Sequence, residues 1–356
     1  MPSSTASWSE PVPAPPGRLP PGLNGGWTYR DRIRACPEGT TVAGFYAARY
    51  LHSTRAEWEA RLAAGEVERN GRPLRADSPL VPGDRLLWRR PPWREEAVPA
   101  SWPVLFDDGD LHVIAKPSGL PVLPAGGFLE HTLLRLLERR HAGDPAGIPR
   151  PVHRLGRFTS GLLVCARRGA TRAWLSERLR ESTGAAVGTA EGGEGRCRKT
   201  YRALVAPARL GLGIGASRSI TVPIGAAPHP RLGRLWQAMA AAPDGAGAGG
   251  RPARSRVTLL ERRPEADLVA VTIASGRPHQ IRIHLAATGA PLLGDPLYLP
   301  GGGVRDGALP GEGGYRLHAH RLRLVAPCGR VLELEAPPPA VLRRGRRGPA
   351  EGTAAR

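Results

Sequence analysis

Apolar positions recur along this chain at two spacings, a helical one and a two-residue one, and the switches between them predict the order of elements. "TTVAGFYAARYL" and "TRAEWEARLAAGEV" carry the helical spacing, with Thr54 three residues before Glu57 as a capping box ahead of Trp58 and Leu62. "GEVERNGRPL" and "VPGDRLLWRRPP" then predict short strands around turns at Asn70-Gly71 and Pro82-Gly83-Asp84. Further on, "VLFDDGDLHVIAKP" predicts two strands around Asp108-Gly109, "GFLEHTLLRLLERRH" an amphipathic helix, "TSGLLVCAR" a buried strand and "GATRAWLSERLRE" another helix. "KTYRALVA" and "ADLVAVTIAS" predict strands, and "HQIRIHLAATG" a helix with Ile281, Leu285 and Thr288 on one stripe and Gly289 at its C-terminal end. "RLHAHRLRLVAP" and "RVLELEAPPP" complete the pattern as strands in hairpin order. Many strands with a few helices between them predict an α+β fold with a mixed, mostly antiparallel sheet and a cleft.

Where neither spacing appears, the chain predicts boundaries. Residues 1–26 and the basic tail 341–356 lack apolar anchors and are expected to be disordered. The low-complexity stretches 182–195 and 240–250 are expected to be solvent loops. A small module at 27–93, a linker at 94–101 and a body at 102–340 remain, which suits 356 residues better than one undivided core.

Composition adds a partner. Lys and Arg number 51 against 31 Asp and Glu, a net charge of +20 that attracts polyanions, nucleic acid first among them. Codon bias toward Arg is the competing explanation, under which the protein would be an interaction module without affinity for RNA. Four dispersed cysteines (Cys36, Cys165, Cys197, Cys328) suggest neither a zinc knuckle nor a disulfide framework, and fit a cytoplasmic setting. No apolar run approaches a membrane span, and the N-terminus lacks the order of a signal peptide. "GLGIGASRS" has neither the helix nor the acidic residue a dinucleotide site needs. His318 with His320, and His279 with His284, read as packing or hydrogen-bonding residues rather than metal ligands.

Four phrases remain: "DDGDLHVIAKPSGLPVLPAGG", "PVHRLGRFTSGLLVCAR", "KTYRALV" and "SGRPHQIRIHLAATGAPLLGDPLY". In this order they resemble the RluA-like pseudouridine synthases over residues 102–336, and "AAGEVERNGRPL" with "VPGDRLLW" resembles an S4-type RNA-binding module. The resemblance implies isomerisation of uridine to pseudouridine in structured ribosomal or transfer RNA, by base flipping and without cofactor or metal, by a monomer that does not engage membranes. It assigns catalytic positions to Tyr201, Arg282 and Gly156, and RNA contacts to His153, Arg154, Arg157, Arg277 and His279. Arg282, between Ile281 and Ile283, needs an anionic partner if it is buried.

Gly156 departs from the family pattern, whose H-R-L-D carries the catalytic carboxylate where this chain has H-R-L-G. Three readings follow: a plant-type branch of the family in which another acid serves, an RNA-binding pseudoenzyme, or a different reaction in the same pocket. On the first, the candidate acids are Asp107, Asp108, Asp110 and Asp295.

Overall fold

The computed structural model describes residues 17–184, 197–239, 250–273, 276–325, 329 and 331–345. They form two units: residues 98–225 with 236–345 and the short segment ending at Leu19, and residues 20–97 with 226–235. The expected loops at 182–195 and 240–250 fall almost wholly outside the described residues.

The first hundred residues supply β1 (Arg18–Leu19), β2 (Gly22–Leu23), β3 (Trp27–Arg32), α1 (Val42–Arg49), α2 (Arg55–Ala63), β4 (Val67–Arg69), β5 (Arg72–Pro73), β6 (Arg85–Arg90), β7 (Arg94–Glu95) and β8 (Val98–Pro99). In the smaller unit the sheet order is β3-β6-β4-β5, and β2 pairs with β7. The capping box at Thr54 and Glu57 forms and starts α2 as its spacing predicts. Asn70 and Gly71 both take positive φ, 51° and 79°, and close the β4–β5 hairpin. Both helices cover the sheet with aromatic rings. Tyr46 stacks on Trp58 at 4.5 Å and Tyr29 on Trp88 at 4.8 Å, contacts worth about 0.5–1.5 kcal/mol each beyond burial.

Three expectations fail here. Residues 17–26 are not a tail, because β1 pairs with β8 in the larger unit and β2 with β7. Both partner strands lie within 94–101, so that stretch is sheet margin rather than free linker. Two-residue strands leave no periodic trace, which is why composition misread them. Likewise Leu342 is buried, so the chain remains packed past residue 341.

The chain continues with β9 (Val104–Asp107), β10 (Leu111–Lys116), α3 (Leu133–Arg140), β11 (Arg150–Pro151), β12 (Thr159–Ala166), α4 (Gly169–Gly184), β13 (Cys197–Val205), β14 (Ser217–Ile220), β15 (Ile224–His229), β16 (Gly233–Ala238), β17 (Ser255–Arg262), β18 (Asp267–Ile273), α5 (Gln280–Ala287), β19 (Leu317–Val325) and β20 (Val331–Glu335). The ten-stranded sheet of the larger unit runs β14-β17-β18-β13-β19-β12-β10-β9, with β11 on β12 and β20 on β19. Among the described pairings in it, only β12 with β19 is parallel.

Two apolar cores lie along this sheet. One joins α3 and α4 to β10, β12 and β19 through Leu133, Leu137, Leu175, Leu163 and Leu324. The other joins α5 to β13, β17 and β18 through Ile281, Leu285, Val205, Val257 and Val271. No helix among the described residues is long and apolar enough to cross a membrane.

Candidate functional site

The parallel pair β12–β19 sets the geometry of the site. Parallel strands begin at the same end, so Thr159 opposite Leu317 brings the loop before β12 beside the residues that enter β19. Gly161 makes the close approach possible: its φ is +104°, and a Cβ there would collide with the backbone of Ala319. The glycine of "TSGLL" is therefore a structural requirement.

Residues 153–158 are held from below. His153 Nε2 accepts the Val164 N–H at 3.0 Å, so its ring replaces a backbone acceptor; burial, then Lys199, push its pKa down to about 3. Lys116 Nζ donates to the carbonyls of Pro117, Leu120 and Arg157 at 2.8, 2.8 and 3.0 Å. Burial, with Arg157 nearby, pushes this amine down to about 7. Lys116 escaped the sequence reading, although a lysine closing the apolar run "LHVIA" was the signal available for it. Arg157 lays its guanidinium over Phe128 at 4.5 Å and Phe158 at 5.0 Å, with Nε donating to Gly119 O at 3.2 Å. Arg154 is exposed on the same loop.

Arg282, on α5, is 3% exposed and makes the bidentate ion pair that its apolar neighbours demanded. Its Nε and Nη2 donate to Asp295 Oδ2 and Oδ1, both at 2.7 Å, and Nη1 donates to Pro310 O at 3.0 Å. The pair lies between two rings, with the guanidinium carbon 4.3 Å from the centre of Tyr315 and 5.0 Å from that of Tyr298. Asp295 also accepts the N–H groups of Leu297 at 2.9 Å and Tyr298 at 3.3 Å.

Of the four candidate acids, then, Asp295 is the one paired with Arg282. Its side chain is only 1% exposed and both oxygens are engaged, so it anchors the arginine. The other three serve the β9–β10 turn. Asp107 binds Arg167 and His112, Asp108 caps the turn N–H groups, and Asp110 accepts from Thr171 and Arg168. Burial alone would raise Asp107, but Arg167, His112 and the Gly109 N–H outweigh it and hold the carboxyl well below its usual range.

At Gly156 the backbone does not demand glycine, since it is absent from the positive-φ residues. The neighbour does: a Cβ there would collide with the Tyr315 hydroxyl, with Thr159 Oγ1 at 3.3 Å and Tyr315 Cζ at 3.7 Å next in line. Tyr315 precedes β19 and nothing in its local sequence singled it out. Tyr201, on β13, packs against both cores at a bulge in the β13–β19 register, and burial raises its hydroxyl to about 12.

His279 opens α5 in the left-handed conformation, φ 54°, and its Nδ1 lies 2.8 Å from the Tyr298 hydroxyl. Burial and Arg282 push it down to about 4. Arg277 reaches the Pro252 carbonyl at 3.3 Å. His318 and His320 both bond to the Ala336 carbonyl, and His284 lies between Ser255 and the Val222 carbonyl. Among the described residues no three His, Cys, Asp or Glu side chains gather as metal ligands would.

This arrangement is a set of phenol and guanidinium groups, held by buried hydrogen bonds, beside an exposed loop. Comparison with known proteins agrees in kind. The sequence profile described as RNA pseudouridylate synthase matches residues 110–287. An uncharacterized RNA pseudouridine synthase of Synechocystis is 40% identical over 84% of this chain and 94% of its own length. RNA pseudouridine synthase 5 of Arabidopsis thaliana is 38% identical over 92% of this chain and 98% of its own. Ribosomal large subunit pseudouridine synthase D of Nitrosomonas europaea is 34% identical over 68% of this chain and 63% of its own. The chain belongs to the RNA pseudouridine synthase family and is an isomerase of RNA uridine.

Proposed function

We propose that this enzyme, as a cytoplasmic monomer, converts a uridine of structured RNA, ribosomal or transfer, into pseudouridine inside the pocket bounded by the Gly156 loop, Tyr201 and Arg282. The reaction breaks the N1–C1′ bond, turns the uracil and joins C5 to C1′, while a proton leaves C5 and one reaches N1. Atoms and electrons balance without a co-reactant. The target base must leave its stack, and the half-buried Tyr201 ring at the junction of the two cores offers it an aromatic face. Arg154 on the exposed loop suits a contact with the flipped strand, and Arg157 and Arg277 suit phosphates nearby. His153 and His279 each have one ring nitrogen engaged within the protein, Nε2 and Nδ1 respectively, and act by shaping the pocket.

The observation that carries this reading is the buried Arg282–Asp295 pair between two tyrosines, beside the loop that begins β12. A ribosomal target is favoured by the relative named for the large ribosomal subunit. In the smaller unit, exposed Arg30 and Arg32 project from edge strand β3, which suits an RNA-binding module.

Incubation with ribosomal and transfer RNA transcripts, followed by mass-spectrometric mapping of pseudouridine, tests the assignment. The expected result is one or a few modified uridines with wild type, and at least tenfold less product with Tyr201→Leu. RNA binding with no product from any transcript would instead identify a non-catalytic RNA-binding protein.

A further inference from the structure

The resemblance to the RluA-like enzymes assigns the catalytic carboxylate's position to Gly156, and the acid paired with Arg282 has both oxygens engaged. Another group must face the nucleoside there. We propose that the Tyr315 hydroxyl is that group and carries the proton between N1 and C5 of the detached uracil.

Position is the first argument. The Tyr315 oxygen lies closer to the Cβ site of residue 156 than any real Cβ contact allows, a separation like that between the Cβ and the carboxyl oxygens within an aspartate. Glycine at 156 is thus the residue that admits the phenol. The parallel start of β12 and β19 produces the juxtaposition, because Tyr315 precedes Leu317 by two residues and Gly156 precedes Thr159, its partner, by three.

Hydrogen bonding is the second argument. The Tyr315 side chain is 3% exposed, and its oxygen accepts from Thr159 Oγ1 at 3.4 Å. Thr159 Oγ1 is also a hydroxyl and can accept the Tyr315 proton in turn, but 3.4 Å is long for an O–H···O bond and leaves that proton weakly held. The ring is fixed by Arg282 on its face and Phe158 at its edge, 6.0 Å between centroids, so the hydroxyl keeps its place at the exposed Gly156 loop.

The chemistry closes on itself. When the N1–C1′ bond breaks, its electron pair goes to N1, and the phenol O–H protonates that nitrogen. After the uracil turns and C5 bonds to C1′, the resulting phenolate takes the proton from C5 and is a phenol again. Proton transfer of this kind by a positioned side chain contributes about 10²–10⁴ in rate.

This role rests on the functional reading above, and the test separates the two. Wild type, Tyr315→Phe, Gly156→Ala and the double variant are compared for kcat, KM, RNA affinity and thermal midpoint on a modified transcript. Tyr315→Phe is expected to lower kcat at least 100-fold with KM and RNA affinity within about twofold and the fold intact. Gly156→Ala, which displaces the hydroxyl, is expected to lower kcat at least tenfold, and the double variant to be no slower than Tyr315→Phe. Tyr315→Phe retaining kcat within threefold, or losing activity only through KM or unfolding, overturns the role while leaving the enzyme assignment standing. A wild type without product overturns both.

Discussion

Gly156 shows how a single residue can be selected by a neighbour rather than by its own backbone. Its conformation suits any residue, yet an added methyl would meet the Tyr315 hydroxyl. Gly156→Ala is therefore expected to destabilise the protein by about 1–3 kcal/mol, as overpacking does, read as a lowered urea midpoint at unchanged slope. Tyr315→Phe in the same chain should relieve most of that loss, because the colliding atom is gone. From the sequence, H-R-L-G read as a missing carboxylate. The structure shows the space occupied by a hydroxyl from 159 residues further along the chain, which no local pattern could announce.

Elements carry the next level of constraint, since buried polar groups tie one element to another. Arg282 on α5 and Asp295 beyond it are nearly inaccessible, so removing either partner strands the other. Arg282→Met and Asp295→Asn are each expected to cost about 3–5 kcal/mol in denaturant titrations, with little dependence on salt. The need for an anionic partner was legible in "IRI"; its identity was not, because four acids were available and only folding distinguishes them. Histidines make similar ties: His153 to Val164, His284 to Val222 and His318 to Ala336. Burial lowers His153 to about 3 and His279, His284 and His318 to about 4, below the ordinary 6.5 of the unfolded chain. Between those values the unfolded chain binds more protons, so folding stability is expected to be full above pH 6.5 and to fall progressively as pH drops toward 4. Urea midpoints measured from pH 7.5 to 4.5 check this; a flat profile would contradict neutral buried rings.

At the scale of the whole molecule, charge is the property that needs no fold to be read. A net charge of +20 predicts RNA binding that weakens steeply between roughly 50 and 200 mM salt, with a slope lowered by about one to two units in the Arg30→Ala, Arg32→Ala double variant. Filter binding across that range measures both.

The sequence alone determined the long elements, because their apolar spacing records burial directly: β10, β12, β13, β18 and β19 as strands, α2 by its cap, α3, α4 and α5 as helices. It also carried the family, whose motifs survive as contiguous phrases. The two-residue strands at 17–26 and 94–99 left no period to read, and β14 to β16 are short and poor in large apolar residues, whereas β17 does alternate, with Ser255, Val257 and Leu259 buried. Tertiary structure decided the rest. Asp295 meets Arg282 because the chain turns back after α5, and the Tyr315 hydroxyl meets Gly156 because β12 and β19 lie parallel, a pairing across some 150 residues that is set by packing, not by local sequence.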